Sequence, residues 1–375
     1  MNIEEIAKKL GIETENELCK IGFDQIHYSN LKLISAEKDW QEFAQMKEVV
    51  PYSFHERSGI WKCEKGYVEG FVICDNKKFS RMYVKSVGTV SLQLTVQHVK
   101  GSNIYGLLWS EYDEYVRYLL TEYIPNTYGL IIDGTDMKIK SVEMNINLHL
   151  EQGYYAYQRA FLYLCKNAPI QRSTIDIRNM FSKDGCSVYN RNNSTSLIFY
   201  NKVAQIMQKQ SKRILPDEQK LLRIEFKFSD SYKIRTIFKT NQWYELNDFL
   251  FLKRFHETFQ KYLVQSFENS MRQNVKMLKT MVRQAKKQNE NKWMDILMKN
   301  LRDQEDSKES ILDIEQIFEV LTDKNGNVSR TRKNLMKSEQ AVENSPFLHG
   351  YIGQIRALFA QEEAIYNEMC SRLKS

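Results

Sequence analysis

Two adjacent runs constrain this chain most. Ser187 to Lys202 (SVYNRNNSTSLIFYNK) reads as two short strands around a polar turn at 190–194, and Leu221 to Phe228 (LLRIEFKF) alternates apolar and charged residues. Alternation with a period of two is the signature of a strand with one buried and one polar face. Tyr200 and Lys202 share a facing if the strand runs through both, and Glu225 lies on the acidic strand that follows. A tyrosine, a nearby lysine and a carboxylate are the groups that cleavage of a phosphodiester would use.

With 375 residues the chain is long enough for a sizeable core and for two domains. Its net charge of +7 suits nucleic acid or an anionic surface without requiring either. Cys19, Cys63, Cys74, Cys165, Cys186 and Cys370 are scattered and form no CxxC pair, so neither a zinc ribbon nor a thioredoxin-like site is suggested. The first residues, MNIEE, lack a basic segment followed by an apolar one. No run approaches the roughly eighteen apolar residues of a membrane span. These features point to a cytoplasmic protein without a membrane partner.

Residues 2–20 suggest two short helices with a break at Gly11 and a second start near Thr14. Residues 21–100 look β-rich, with strands over 67–73 and 89–96 and a turn over 75–78. The spacing of Leu107, Leu108, Tyr112, Tyr115, Val116, Leu119, Leu120 and Tyr123 predicts a helix over 107–124, ended by Pro125-Asn126. Another strand is expected over 140–150, with Val142, Met144, Ile146, Leu148 and Leu150 on one side and Glu143, Asn145, Asn147 and His149 on the other. A helix over 154–166 precedes the hairpin. From about Asn247 to Arg302 the periodicity is helical, and between Lys202 and Arg302 basic residues outnumber acidic ones by roughly two to one. A turn over 323–330 and a helix over 351–373 follow. No internal repeat is visible. The division is short N-terminal helices over 1–20, an α/β domain over 21–240 and a basic helical region over 241–375.

Glu143 and Glu225 each stand on the polar side of a strand, where neighbouring antiparallel strands can bring them close. With Asn147 or His149 they could hold one divalent ion, Mg²⁺ or Mn²⁺. The pattern by itself suits the solvated side of a half-exposed sheet better. Tyr200 is the candidate nucleophile and Tyr189, on the paired strand, its runner-up; the Lys202 ammonium could lower the phenol's pKa or bind phosphate. GxxxxGK[ST], GxGxxG and GxSxG are all missing from the sequence. The aromatics Phe251, Phe255, Phe259, Tyr262 and Phe267 suit a core better than a base-stacking platform.

In order, three blocks resemble the replication initiators of the filamentous-phage gene II/X type, the related rolling-circle plasmid initiators and the integrative-element relaxases. They are Gly101-Ser102-Asn103-Ile104-Tyr105-Gly106, the segment 140–150, and Phe199-Tyr200-Asn201-Lys202 followed by Leu222-Arg223-Ile224-Glu225. The resemblance covers about residues 90–230. It implies an α+β fold, a central antiparallel sheet flanked by helices, with a C-terminal helical region.

The resemblance further implies a sequence-specific nicking and joining enzyme for replication-origin DNA, single-stranded or supercoiled. Tyr200 would attack one strand, Lys202 would assist, Glu143 and Glu225 would bind Mg²⁺ or Mn²⁺, and Arg191 and Arg223 would contact DNA. A 5′-phosphotyrosyl link and a free 3′-OH would result, inside a bacterial host cell, for use by a host helicase and polymerase. A homodimer is compatible with this. Departures from the family pattern include Glu143 and Asn201 where it has aspartate, and Lys140-Ser141 where it has an arginine. They motivate a non-catalytic origin-binding protein as the alternative; a conjugative relaxase would share the chemistry.

Overall fold

The structure, a computed structural model, describes Glu5, Lys8 and residues 18–54, 61–63, 66–101, 104, 106–178, 187–210, 215–290, 292–306 and 350–374. The helix break at Gly11, the start near Thr14, the turn over 323–330, and Ser102, Asn103 and Tyr105 lie outside these residues.

The strands are β1 (Gly22–Ala36), β2 (Val49–Phe54), β3 (Trp61–Cys63), β4 (Gly66–Ile73), β5 (Arg81–Lys85), β6 (Thr89–Thr95), β7 (Leu130–Asp133), β8 (Lys138–His149), β9 (Thr174–Arg178), β10 (Ser187–Arg191), β11 (Thr195–Asn201) and β12 (Leu221–Phe228). They form a 12-stranded sheet in the order β2-β4-β5-β6-β1-β8-β12-β11-β10-β9, with β3 on β4 and β7 on β1. The strand pairings are antiparallel. The helices are α1 (Trp40–Ala44), α2 (Val96–Lys100), α3 (Trp109–Tyr118), α4 (Ile124–Tyr128), α5 (Gln158–Asn167), α6 (Lys202–Gln210), α7 (Ser231–Phe238), α8 (Asp248–Phe259), α9 (Gln265–Gln288), α10 (Trp293–Asp306) and α11 (Tyr351–Arg372). The fold is therefore α+β, a central antiparallel sheet flanked by helices, with a C-terminal helical region.

The sheet is built twice over. From its central pair β1·β8, one half runs β1-β6-β5-β4-β2 and the other β8-β12-β11-β10-β9. In each half the chain leaves the central strand for the far edge and returns strand by strand until the last one pairs with the first. Each returning strand leads into a short helix capped by Thr95 or Asp230, and then into a helix interrupted by a π turn, Leu119–Tyr123 or Gln260–Val264. The topology is duplicated although no repeat shows in the residues. β6 (TVSLQLT) and β12 (LLRIEFKF) share only their alternation, and alternation is all that the pairing requires.

One face of the sheet is apolar and covered by helices. Val142, Met144, Ile146 and Leu148 line up with Leu222, Ile224, Phe226 and Phe228, all buried. The Phe226 ring meets those of Phe255 at 5.9 Å and Tyr262 at 5.9 Å, and Phe161 of α5 stacks on Phe199 at 5.4 Å. Phe251, Phe255, Phe259, Tyr262 and Phe267 are core residues, as their spacing suggested. α8 and α11 contribute to the same hydrophobic cluster as the sheet.

The helix expected to stop at Pro125 continues to Tyr128. The π turn at 119–123 ends one residue short of the proline, which falls in the first turn of α4, where a missing N–H costs little. Gly129, at φ 66°, then ends the helix. Among the described residues no helix is long and apolar enough to cross a membrane.

Phe23 joins the layers. It is fully buried, stacks on Phe251 at 3.8 Å and meets the edge of Tyr112 at 6.1 Å. Replacing it with alanine should lower stability by about 3–5 kcal/mol, measured as a shift in the urea unfolding midpoint at unchanged slope.

Candidate functional site

On the opposite, polar face the register places side chains in rows. Tyr200, Arg223 and Asn147 form one row across β11, β12 and β8; Ile198, Glu225 and Asn145 form the next; Ser196, Lys227 and Glu143 form the third. Asp24 joins them because the β1·β8 register shifts between Phe23 and Gln25.

The Tyr200 hydroxyl donates to Glu225 Oε1 at 2.5 Å. Arg223 lies beside them with 0% exposure. Its Nε donates to Asn147 Oδ1 (2.7 Å), Nη1 to Asp24 Oδ1 (3.2 Å) and Nη2 to the Ile104 carbonyl (2.5 Å), while Nη1 stands 3.8 Å from Glu225 Oε1. Asn147 Nδ2 donates to the carbonyls of Leu18 (2.7 Å) and Ile104 (3.1 Å). Glu143 is ion-paired with Lys227.

Burial dominates the proton affinities. It pushes Glu225 up to about 7, helped by the negative charge of Asp24 and opposed by Arg223. Burial, with Glu225 adding to it, also holds the Tyr200 phenol well above its ordinary value. Glu143 is raised by burial against the pull of Lys227. The phenol is therefore protonated at neutral pH, next to a carboxylate that titrates there.

Lys202 is not on the strand. β11 ends at Asn201, whose side chain accepts from the Ala204 N–H at 3.1 Å and so starts α6 at Lys202. The buried ammonium bonds Gln205 Oε1 at 2.6 Å and sits 5.7 Å from the centre of the Tyr200 ring, over its face. Tyr189 pairs with Ile198 and is two strands from Glu225, about 10 Å away across the sheet. Arg191 is exposed at the hairpin tip, where it lines an open concavity of 860 Å³ with Arg172, Asn192 and Asn193. Arg223, expected to contact DNA, is instead an internal cation with protein acceptors on every nitrogen.

The expected ligand set does not converge on one ion. Glu143 and His149 are six residues apart on the same strand, about 20 Å. The Asn147 oxygen is taken by Arg223. Among the described residues no group of three or more His, Cys, Asp or Glu side chains is placed to hold a metal ion.

Two site residues went unselected in the sequence. Asp24 carries no pattern, because the bulge that turns it inward is a property of the pairing. Asn145 was visible on the polar side of its strand; it is fully buried, and neither its Oδ1 nor its Nδ2 has a hydrogen-bond partner. No protein-family model matches this sequence, and no curated protein matches it either.

The raised Glu225 has a consequence for stability. A carboxyl whose pKa is higher when folded contributes stability below its ordinary value of 4.5 and loses it as pH rises through about 7. The urea midpoint should fall between about pH 5 and about pH 8, and Glu225→Gln should flatten that part of the profile. Identical profiles for the two proteins would refute the assignment.

Proposed function

We propose that the chain is a rolling-circle replication initiator that nicks and rejoins origin DNA through Tyr200. The observation that carries this reading is the hydrogen bond from the Tyr200 hydroxyl to Glu225, a carboxylate raised to about 7. A general base works best when its pKa lies near the working pH. Glu225 takes the phenolic proton as the tyrosine oxygen attacks phosphorus. The P–O3′ bond breaks, the departing O3′ takes up a proton, and the 5′-phosphate stays on Tyr200. The phosphotyrosyl bond conserves the energy for religation, and the 3′-OH is left for a host polymerase, with a host helicase opening the duplex. Arg223 keeps the base and the phenol in register. Arg191, which pairs with Ser196 near the hairpin tip about 13 Å along β11 from Tyr200, and the neighbouring Arg172 offer phosphate contacts. No step is assigned to Mg²⁺ or Mn²⁺, because His149 stands about 20 Å from Glu143 along β8 and the Asn147 oxygen is taken by Arg223.

A second reading is favoured by one specific observation: Tyr200 is only 3% exposed. A DNA-binding protein that keeps the fold without cleavage would have such a site. It predicts salt-sensitive binding and no covalent adduct.

The two readings part in one experiment. Incubate the protein with a supercoiled plasmid carrying the DNA that flanks its own coding sequence, in Mg²⁺, in Mn²⁺ and in chelator, and resolve the products on a denaturing gel. The initiator gives nicked circles and a protein–DNA adduct, which Tyr200→Phe abolishes. Glu225→Gln slows nicking by about 10²–10⁴-fold, and the wild-type rate rises with pH through about 7. Normal nicking by Tyr200→Phe, or DNA binding with no adduct in any cation, refutes the proposal.

A further inference from the structure

A second chemical feature lies on the helical side of the sheet, away from Tyr200. Between α7, the end of α8 and the π turn at 260–264 there is a half-open cavity of 190 Å³, room for roughly six water molecules. Lys233, Lys239, Arg254 and Lys261 line it, with Glu257 as the one carboxylate. Tyr262 forms part of the wall, and its ring packs on Phe226 and Phe228, which fixes the cavity on the apolar, helix-covered side.

The charges are not neutralised from within. Glu257 is bound to Arg254 Nη1 at 2.5 Å. Among the described residues no carboxylate pairs with Lys233, Lys239 or Lys261. Arg254 Nε is buried without a hydrogen-bond acceptor, although a buried guanidinium N–H ordinarily has one. The Thr236 and Thr258 hydroxyls donate to the Tyr232 and Arg254 carbonyls at 2.9 and 2.7 Å, so they supply no acceptor-seeking hydrogen to the cavity. The cavity is thus short of anionic acceptors.

The duplicated topology supplies a comparison. At the corresponding π turn the first half carries Leu119-Leu120-Thr121-Glu122-Tyr123, with no basic residue, whereas the second carries Gln260-Lys261-Tyr262-Leu263-Val264. The fold does not need cations there.

We propose that this cavity is a binding site for a diphosphate group, free or carried by a small molecule such as a nucleoside diphosphate. Four cations against one carboxylate exceed what a single carboxylate ligand would neutralise, and a diphosphate offers several charged oxygens within one compact group. The Arg254 guanidinium and the three lysines supply the positive charge that lines it. The site is independent of the nicking reaction.

The test uses the full chain and inorganic pyrophosphate. Isothermal titration at near-physiological salt should show saturable binding. The double variant Lys233→Gln/Lys261→Gln, with circular dichroism and melting temperature as checks on folding, should weaken it by at least about tenfold. Parallel titrations with ADP and with inorganic phosphate distinguish a nucleotide from the bare anion: ADP binding as tightly as pyrophosphate identifies the diphosphate as the recognised group. Absence of pyrophosphate binding at about 1 mM, or unchanged affinity in the folded double variant, overturns the proposal. So does loss of duplex DNA binding in that variant without any effect of pyrophosphate, which would mark a nucleic-acid contact instead.

Discussion

A guanidinium with no access to water sets the character of the polar face. Burying an uncompensated charge costs several kcal/mol, so Arg223 can occupy its place only if each N–H has an acceptor and a negative charge stands close. Asn147 on β8, Asp24 on β1 and the Ile104 carbonyl meet that demand. The central strands are thereby tied together on the polar face of the sheet. The same charge restrains Glu225, which burial and Asp24 would otherwise push higher still. A lysine there could not reach these acceptors in separate directions, because one ammonium replaces a planar fork of donors.

The two halves share a topology but not their polar residues. In the first half β6 places Gln93 opposite His27 and Thr95 opposite Gln25, and β5 places Arg81 and Tyr83 opposite Gln93 and Ser91. No carboxylate is paired with a phenol in these rows. In the second half the corresponding strands carry Tyr200, Arg223 and Glu225. The hydrophobic side is retained in both, since each half must bury one face against helices whatever its polar face does.

Much of the sheet was legible because a period of two determines facing once a strand is recognised. The run 221–228 is a strand over those same residues, and Glu225 and Glu143 do lie on one face. Strand ends were less legible. Tyr200 and Lys202 share a facing only if the strand extends past Asn201, and the Asn201 side chain instead opens a helix. His149 and Glu143 were rightly placed on one side of β8, but alternation says nothing of distance along the strand. Asp24 depends on a bulge, and the repeat depends on topology; neither leaves a mark in local sequence.

The burial of Tyr200 bears directly on how it could act. A lysine ammonium near the hydroxyl would lower the phenol's pKa, but Lys202 lies over the ring and is bonded to Gln205. Burial raises both the phenol and its carboxylate partner. Full transfer of the proton before attack is therefore uphill, since the phenol remains the much weaker acid. In the nicking step proposed above, transfer would become favourable only as the oxygen bonds to phosphorus and loses its own proton affinity. Glu225 suits such a concerted step better than an ordinary carboxylate, because a base that titrates near 7 holds the proton more firmly while still being substantially ionised at neutral pH. The positive charge of Arg223, 3.8 Å from Glu225, is what keeps that ionised form populated inside the protein.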